Sequence, residues 1–172
     1  MQRIILGGGC FWCTESVFLS LKGVHQVTSG YAGGQEDTAN YEAVCTGETG
    51  HVEVIEVLFD DSVIDLGVLL DVFFATHDPT TLNRQGNDIG TQYASVIFYT
   101  DESQRGVIDD KIHALQADGI DVVTRVQAAP TFHPAESYHQ NFYANNPTQG
   151  YCNFAIPPKL AKLKTGFAGY LK

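Results

Sequence analysis

The 172-residue chain is poor in positive charge, in cysteine and in long apolar runs. It holds 10 lysines and arginines against 20 aspartates and glutamates, a formal net charge of −10 at pH 7. Nucleic acids and anionic membranes are themselves polyanions, so this balance argues against either as a partner. No apolar run approaches the roughly 20 residues that a membrane span needs. The opening "MQRIIL" is too short for the apolar core of a secretory leader before Gly7–Gly9 interrupt it. Four cysteines are too few for a disulfide scaffold, so they read as free thiols of a cytoplasmic protein. Internal repeats and low-complexity linkers are missing as well, which predicts one domain over residues 1–172. Lys159, Lys162, Lys164 and Lys172 gather most of the C-terminal charge into a basic tail, residues 155–172, expected to be solvated.

What is present suffices for a sizeable core, since 44% of the residues are hydrophobic. Arg3–Leu6 reads as a short buried strand ended by glycines. Cys10, Cys13, Thr14, Val17, Phe18 and Leu21 then recur at helical spacing until Gly23 stops the run. Strands are predicted at Val24–Tyr31, His51–Phe59, Gln92–Tyr99 and Asp121–Ala128. Helices are predicted at Asp65–Thr76 and at Asp101–Ala117, the second capped by Asp101 or Ser103. The order contains the split β-α-β of ferredoxin-like folds. The fold class expected is therefore α+β, a two-layer sandwich with a ferredoxin-like βαββαβ core. Beyond Ala129 the prolines, asparagines, glycines and aromatics predict a long C-terminal coil wrapped over that core. Two polar stretches, Asn40–His51 and His77–Tyr93, are long for connections in a compact domain, and such loops usually carry function.

The cysteines at 10 and 13 are the chemical signal. Cys10 follows the glycine turn at the expected start of a helix, where free amides and the helix dipole favour a thiolate. Cys13 lies one turn later on the same face, within reach of a disulfide. Three readings compete: a reactive dithiol, two inert core thiols, or half of a zinc site. Zinc wants a second close pair of ligands, whereas Cys45 and Cys152 are solitary and His133 and His139 are six apart. A thioredoxin-like exchange dithiol is the stronger rival, although Phe11 and Trp12 fill the gap and no proline does.

Five motifs in order narrow the choice: "GCFWCTE" (Gly9–Glu15), "SGYAGG" (Ser29–Gly34), "YEAVCTGETGHVEV" (Tyr41–Val54), "RQGNDIGTQY" (Arg84–Tyr93) and "NPTQGYC" (Asn146–Cys152). Together they resemble the A-type peptide-methionine sulfoxide reductases over most of the chain. The resemblance implies reduction of the S epimer of methionine sulfoxide, free or in proteins. It further implies a cysteine sulfenic acid, then a disulfide reduced by thioredoxin, and no metal or organic cofactor. Cys10 matches the nucleophile, Phe11 and Trp12 the pocket for the substrate methyl, and Glu53 the acid. Periodicity alone does not separate Glu53 from Glu56, because each shares a strand face with apolar residues. Tyr41 and Tyr93 match hydrogen-bonding tyrosines, and Asp88 a supporting carboxylate. Glu15 reads as structural, and so does Cys45. Cys152 matches the resolving cysteine, on a segment expected to be flexible. Cys13, glycine in many relatives, is the alternative resolver. A monomer is expected.

Overall fold

The computed structural model describes residues 1–172. In chain order the elements are β1 (Gln2–Gly8), α1 (Phe11–Leu19), β2 (Val24–Ala32), α2 (Tyr41–Val44), β3 (Val52–Phe59), α3 (Leu66–Thr76), β4 (Arg84–Gln85), β5 (Asp88–Ile89), β6 (Ser95–Tyr99), α4 (Glu102–Ala117), β7 (Arg125–Ala128), β8 (Phe132–Pro134), α5 (Phe142–Asn145) and α6 (Gly150–Gly166). Six strands form one sheet in the order β7-β6-β1-β3-β2-β8. Neighbours run antiparallel except for β6 and β7, which run parallel. β4 and β5 pair separately as a small hairpin within the second long polar loop.

The strands at the centre are apolar on both faces because both are covered. On the helical face Ile4, Leu6, Ile55, Val57 and Phe59 pack with Phe18 of α1, Leu69 and Phe73 of α3, Ile108 of α4 and Leu163 of α6. On the other face Ile5, Val52, Val54, Val96 and Phe98 make a smaller cluster beneath Phe132. Helix starts follow local chemistry. The Asp65 carboxylate accepts from the Val68 amide at 2.9 Å, and that of Asp101 from the Ser103 amide at 2.8 Å. Gly9 turns the chain from β1 into α1 at φ 96°, where a side chain would be strained and would strike Gln85.

The structure corrects the expected C-terminal coil. Residues Gly150–Gly166 form α6, the longest helix, and β8 and α5 precede it. Cys152, Ile156, Leu160 and Leu163 recur at helical spacing and turn toward α1 and α3. Pro157 and Pro158 inside the helix hid this stripe from a sequence reading. Within the basic tail residues 155–166 are helical and Lys159 is half-buried, while Lys162, Lys164 and Lys172 are exposed. No helix is long and apolar enough to cross a membrane.

Candidate active site

Cys10 is the N-cap residue of α1, and its carbonyl accepts from the amides of Cys13 and Thr14. The next amide, that of Phe11, is one that a helix start leaves without an internal partner. It donates to Glu53 Oε1 at 3.1 Å. Glu53 projects from the end of β3 on the helical face and is 1% exposed. Burial pushes its carboxyl up to about 8, against the pull of the Phe11 amide. Glu53 is thus a proton donor at neutral pH, directly behind the helix-start sulfur. Glu56 lies on the opposite face, half-exposed, in an ion pair with Arg3 at 2.9 Å. Tertiary burial therefore separates the two glutamates that periodicity left equivalent.

The Cys10 and Cys13 side chains pack together. Interaction with the Cys13 sulfur, burial and the nearby Glu53 push the Cys10 thiol up. Interaction with the Cys10 sulfur pulls Cys13 down, helped by the Lys159 ammonium and the Tyr151 hydroxyl. The helix start favours a thiolate at Cys10, whereas the surroundings of the pair push Cys10 up and pull Cys13 down. The Lys159 ammonium favours charge on Cys13 against the opposing Asp88, while Glu53 disfavours it on Cys10. As a thiol Cys13 donates to Tyr151 Oη at 4.0 Å, and the Tyr151 hydroxyl in turn donates to Asp88 Oδ2. A cavity of about 300 Å³ opens beside both sulfurs, with Asp88, Tyr151, Phe154 and Lys159 among its walls.

Aromatic rings make the other wall of the site. Trp12 stacks on Phe142 with centroids 3.9 Å apart and donates its indole N–H to His139 Nδ1 at 3.0 Å. The ring of His139 packs 4.4 Å from that of Tyr41. Because Nδ1 accepts, the neutral imidazole carries its proton on Nε2, which is buried without a partner. Phe11 is fully buried against Tyr31, 5.6 Å away, so Trp12 presents a ring surface where Phe11 does not. Tyr41 begins α2, held by its own amide donating to Glu136 at 3.0 Å. Glu53 and Cys10 bear electrostatically on both Tyr41 and Tyr93, and burial keeps both phenols protonated. The two long polar loops thus bring Tyr41, Tyr93 and Asp88 around Cys10 and Glu53.

Cys152 does not ride a coil. It is fully buried in the first turn of α6, its amide donating to the Gln149 side chain at 2.8 Å, and it packs with Cys13 and Ile156. Burial pushes its thiol up to about 11. Cys45 is exposed. Sequence reasoning gave Glu136 and Tyr151 no role, weighed His139 only as a zinc ligand and placed Lys159 in a solvated tail; Tyr151 alone stood inside a quoted motif. His, Cys, Asp and Glu side chains form no cluster of three or more placed to hold a metal ion.

Comparison with known proteins identifies the family. The family model for peptide methionine sulfoxide reductase matches residues 2–169. The chain belongs to the peptide methionine sulfoxide reductase family. It is 66% identical to the reductase MsrA of Psychrobacter cryohalolentis over 171 residues, covering 99% of each chain. Its fold is similar to that of reduced Mxr1 from Saccharomyces cerevisiae, with a TM-score of 0.80 and 34% identity over 90% of this chain and 88% of that one. A structure of Mxr1 in complex with Trx2 is also similar, with a TM-score of 0.55 and 25% identity over 81% of this chain and 83% of that one. This reductase is accordingly an A-type enzyme.

Proposed function

We propose that this enzyme reduces the S epimer of methionine sulfoxide, free and in proteins, as an antioxidant repair reaction driven by thioredoxin. The observation that carries the reading is the buried, protonated Glu53 fixed by the Phe11 amide beside the Cys10 sulfur. A sulfoxide oxygen leaves only once protonated, and Glu53 can supply that proton. Trp12, backed by Phe11, gives the substrate methyl an aromatic face, and the hydroxyls of Tyr41 and Tyr93 hold the oxygen. Asp88 supports the site through Tyr151. The Cys10 sulfur attacks the sulfoxide sulfur; the protonated oxygen then passes to Cys10 as the substrate S–O bond and the transient S–S bond break, so methionine leaves and Cys10 is left as a sulfenic acid. Over the step the thiol proton of Cys10 replaces the one that Glu53 gives, so the proton count closes. Epimer choice is supported by the A-type assignment, since each type serves one epimer.

A second thiol then displaces the sulfenic hydroxyl as water and closes a disulfide. The geometry favours Cys13 over Cys152 as that thiol, reversing the order read from the sequence. Cys13 packs with Cys10 one helical turn away, and it is the thiol of the pair that its surroundings pull down. With its thiol near 11, Cys152 holds only about one part in ten thousand as thiolate at pH 7. Cys152, packed on Cys13, is the reserve resolver. Thioredoxin then reduces the disulfide by exchange; the complex of the similar Mxr1 with Trx2 supports this partner. We further read the protein as a cytoplasmic monomer that needs no cofactor, on the strength of its family and charge. Its central strands β6-β1-β3-β2, all antiparallel and joined through α1 and α3, support the ferredoxin-like description.

The decisive test offers separated sulfoxide epimers to wild type and Cys10→Ser, then maps disulfides after one turnover. We expect methionine from the S epimer alone, no product from Cys10→Ser, and a Cys10–Cys13 bridge. Product from Cys10→Ser at the wild-type rate overturns the reading.

A further inference from the structure

Lys159 is the unabsorbed feature beside the dithiol. It projects from α6 into the wall of the cavity that Cys10 and Cys13 also line. Its ammonium is half-buried, and its hydrogen-bond partner is the carbonyl of Thr76 at the end of α3. No carboxylate forms an ion pair with it; the three ion pairs of the molecule lie elsewhere. A cation removed from water without a counter-ion is costly unless an anion arises near it. The groups around Cys13 are Cys10 at the helix start, Glu53 on β3, Asp88 on β5, and Tyr151, Cys152 and Lys159 on α6. Lys159 is the only cation among them. Its own neighbours His77 and Lys162 do not supply the missing negative charge: His77 is buried and neutral, and Lys162 is a second cation.

We propose that Lys159 is the counter-charge of the dithiol, holding Cys13 as the thiolate that resolves the Cys10 sulfenic acid. The inference rests on the reading of Cys13 as the resolving thiol. In the step, the Cys13 proton leaves to solvent by way of Tyr151 and Asp88. The Cys13 thiolate attacks the Cys10 sulfur, and the Cys10 S–O bond breaks. The departing hydroxide takes up a proton to become water, and the S–S bond forms. Cys13 is oxidised and Cys10 reduced, with no further reagent. In the return step the charge also selects direction. A thioredoxin thiolate attacks Cys10, the more exposed sulfur, and Cys13 leaves as a thiolate opposite the ammonium.

The test compares Lys159→Met, which removes the charge at similar length, with Lys159→Arg, which keeps it. Both are made in a Cys45→Ser, Cys152→Ala background, and Lys159→Gln replaces the Met variant should that fail to fold. Thiolate absorbance against pH reads the first ionisation of the pair. We expect its midpoint to rise by about one unit in Lys159→Met, tenfold less thiolate at neutral pH, and to hold in Lys159→Arg. After one turnover, trapping should show sulfenic acid persisting about tenfold longer in Lys159→Met, with the delay shrinking as the pH is raised. An unmoved midpoint, or a delay that the pH does not relieve, overturns the proposal. A moved midpoint together with a Cys10–Cys152 bridge in the wild-type protein supports Lys159 as counter-charge and overturns Cys13 as resolver instead.

Discussion

Glu53 shows how much a single buried carboxyl decides. Its place behind Cys10 costs the protein solvation, and that cost is what keeps a proton available at neutral pH. Glu53→Gln keeps the shape and a hydrogen-bond acceptor for the Phe11 amide but cannot give up a proton. Sulfoxide reduction should fall by about a hundredfold or more, the usual contribution of a placed acid. Wild-type turnover should decline above pH 8 as the carboxyl ionises, and this limb should be missing from the residual activity of the variant. Steady-state rates across pH check both expectations; a wild-type rate in Glu53→Gln would remove the acid from the mechanism. At the same scale, Trp12→Ala should raise KM for methionine sulfoxide about tenfold, because the aromatic wall for the methyl goes with it.

Among elements, α5 matters out of proportion to its four residues. It begins at Asn141, held in the left-handed region at φ 55°, and delivers Phe142 onto Trp12. Glu15 ties it down: the buried carboxyl accepts from Ser29 Oγ at 3.2 Å and faces the amides of Asn141 and Phe142, which act to lower it against the effect of burial. The structural role read for Glu15 from the motif has a concrete form here, a clamp between α1, β2 and α5. Glu15→Ala leaves buried donors unmet and should destabilise by about 1–3 kcal/mol. It should also raise KM, since Phe142 no longer backs the indole. Thermal melts and kinetics together check this; an unchanged KM would separate α5 from the site.

For the molecule as a whole, buried titratable groups set the pH range of stability. Glu53 and Glu15 are pushed up to about 8 and about 7 from an ordinary 4.5, chiefly by burial. Both hold protons in the folded state that the unfolded chain releases, so stability falls as pH rises between 4.5 and 8. His77 runs the other way. Pushed down from 6.5 to about 4 by burial, it takes up a proton on unfolding, so stability falls as pH drops below 6.5. Between pH 4.5 and 6.5 the two glutamates outweigh the one histidine, so urea midpoints should decline from pH 4.5 toward pH 8, with a shallower decline in Glu53→Gln. A midpoint that rises from pH 6.5 to 8 would contradict this balance.

Local pattern was enough for most elements of the sheet and for the helix that begins at Cys10, because apolar periodicity and capping residues act over a few neighbours. Motif order carried the family resemblance that pointed to the dithiol, Glu53, Tyr41, Tyr93 and Asp88. What the sequence could not express was set by packing over long separations. Tertiary burial distinguished Glu53 from Glu56, and Phe11 from Trp12. It turned an expected coil into α6, where the paired prolines had masked a stripe that only α1 and α3 complete. That one helix shelters Cys152, brings Tyr151 to Cys13 and aims Lys159 into the cavity. The charge of the dithiol thus depends on residues about 140 positions away, and a field from so distant a segment exists only once the chain has folded.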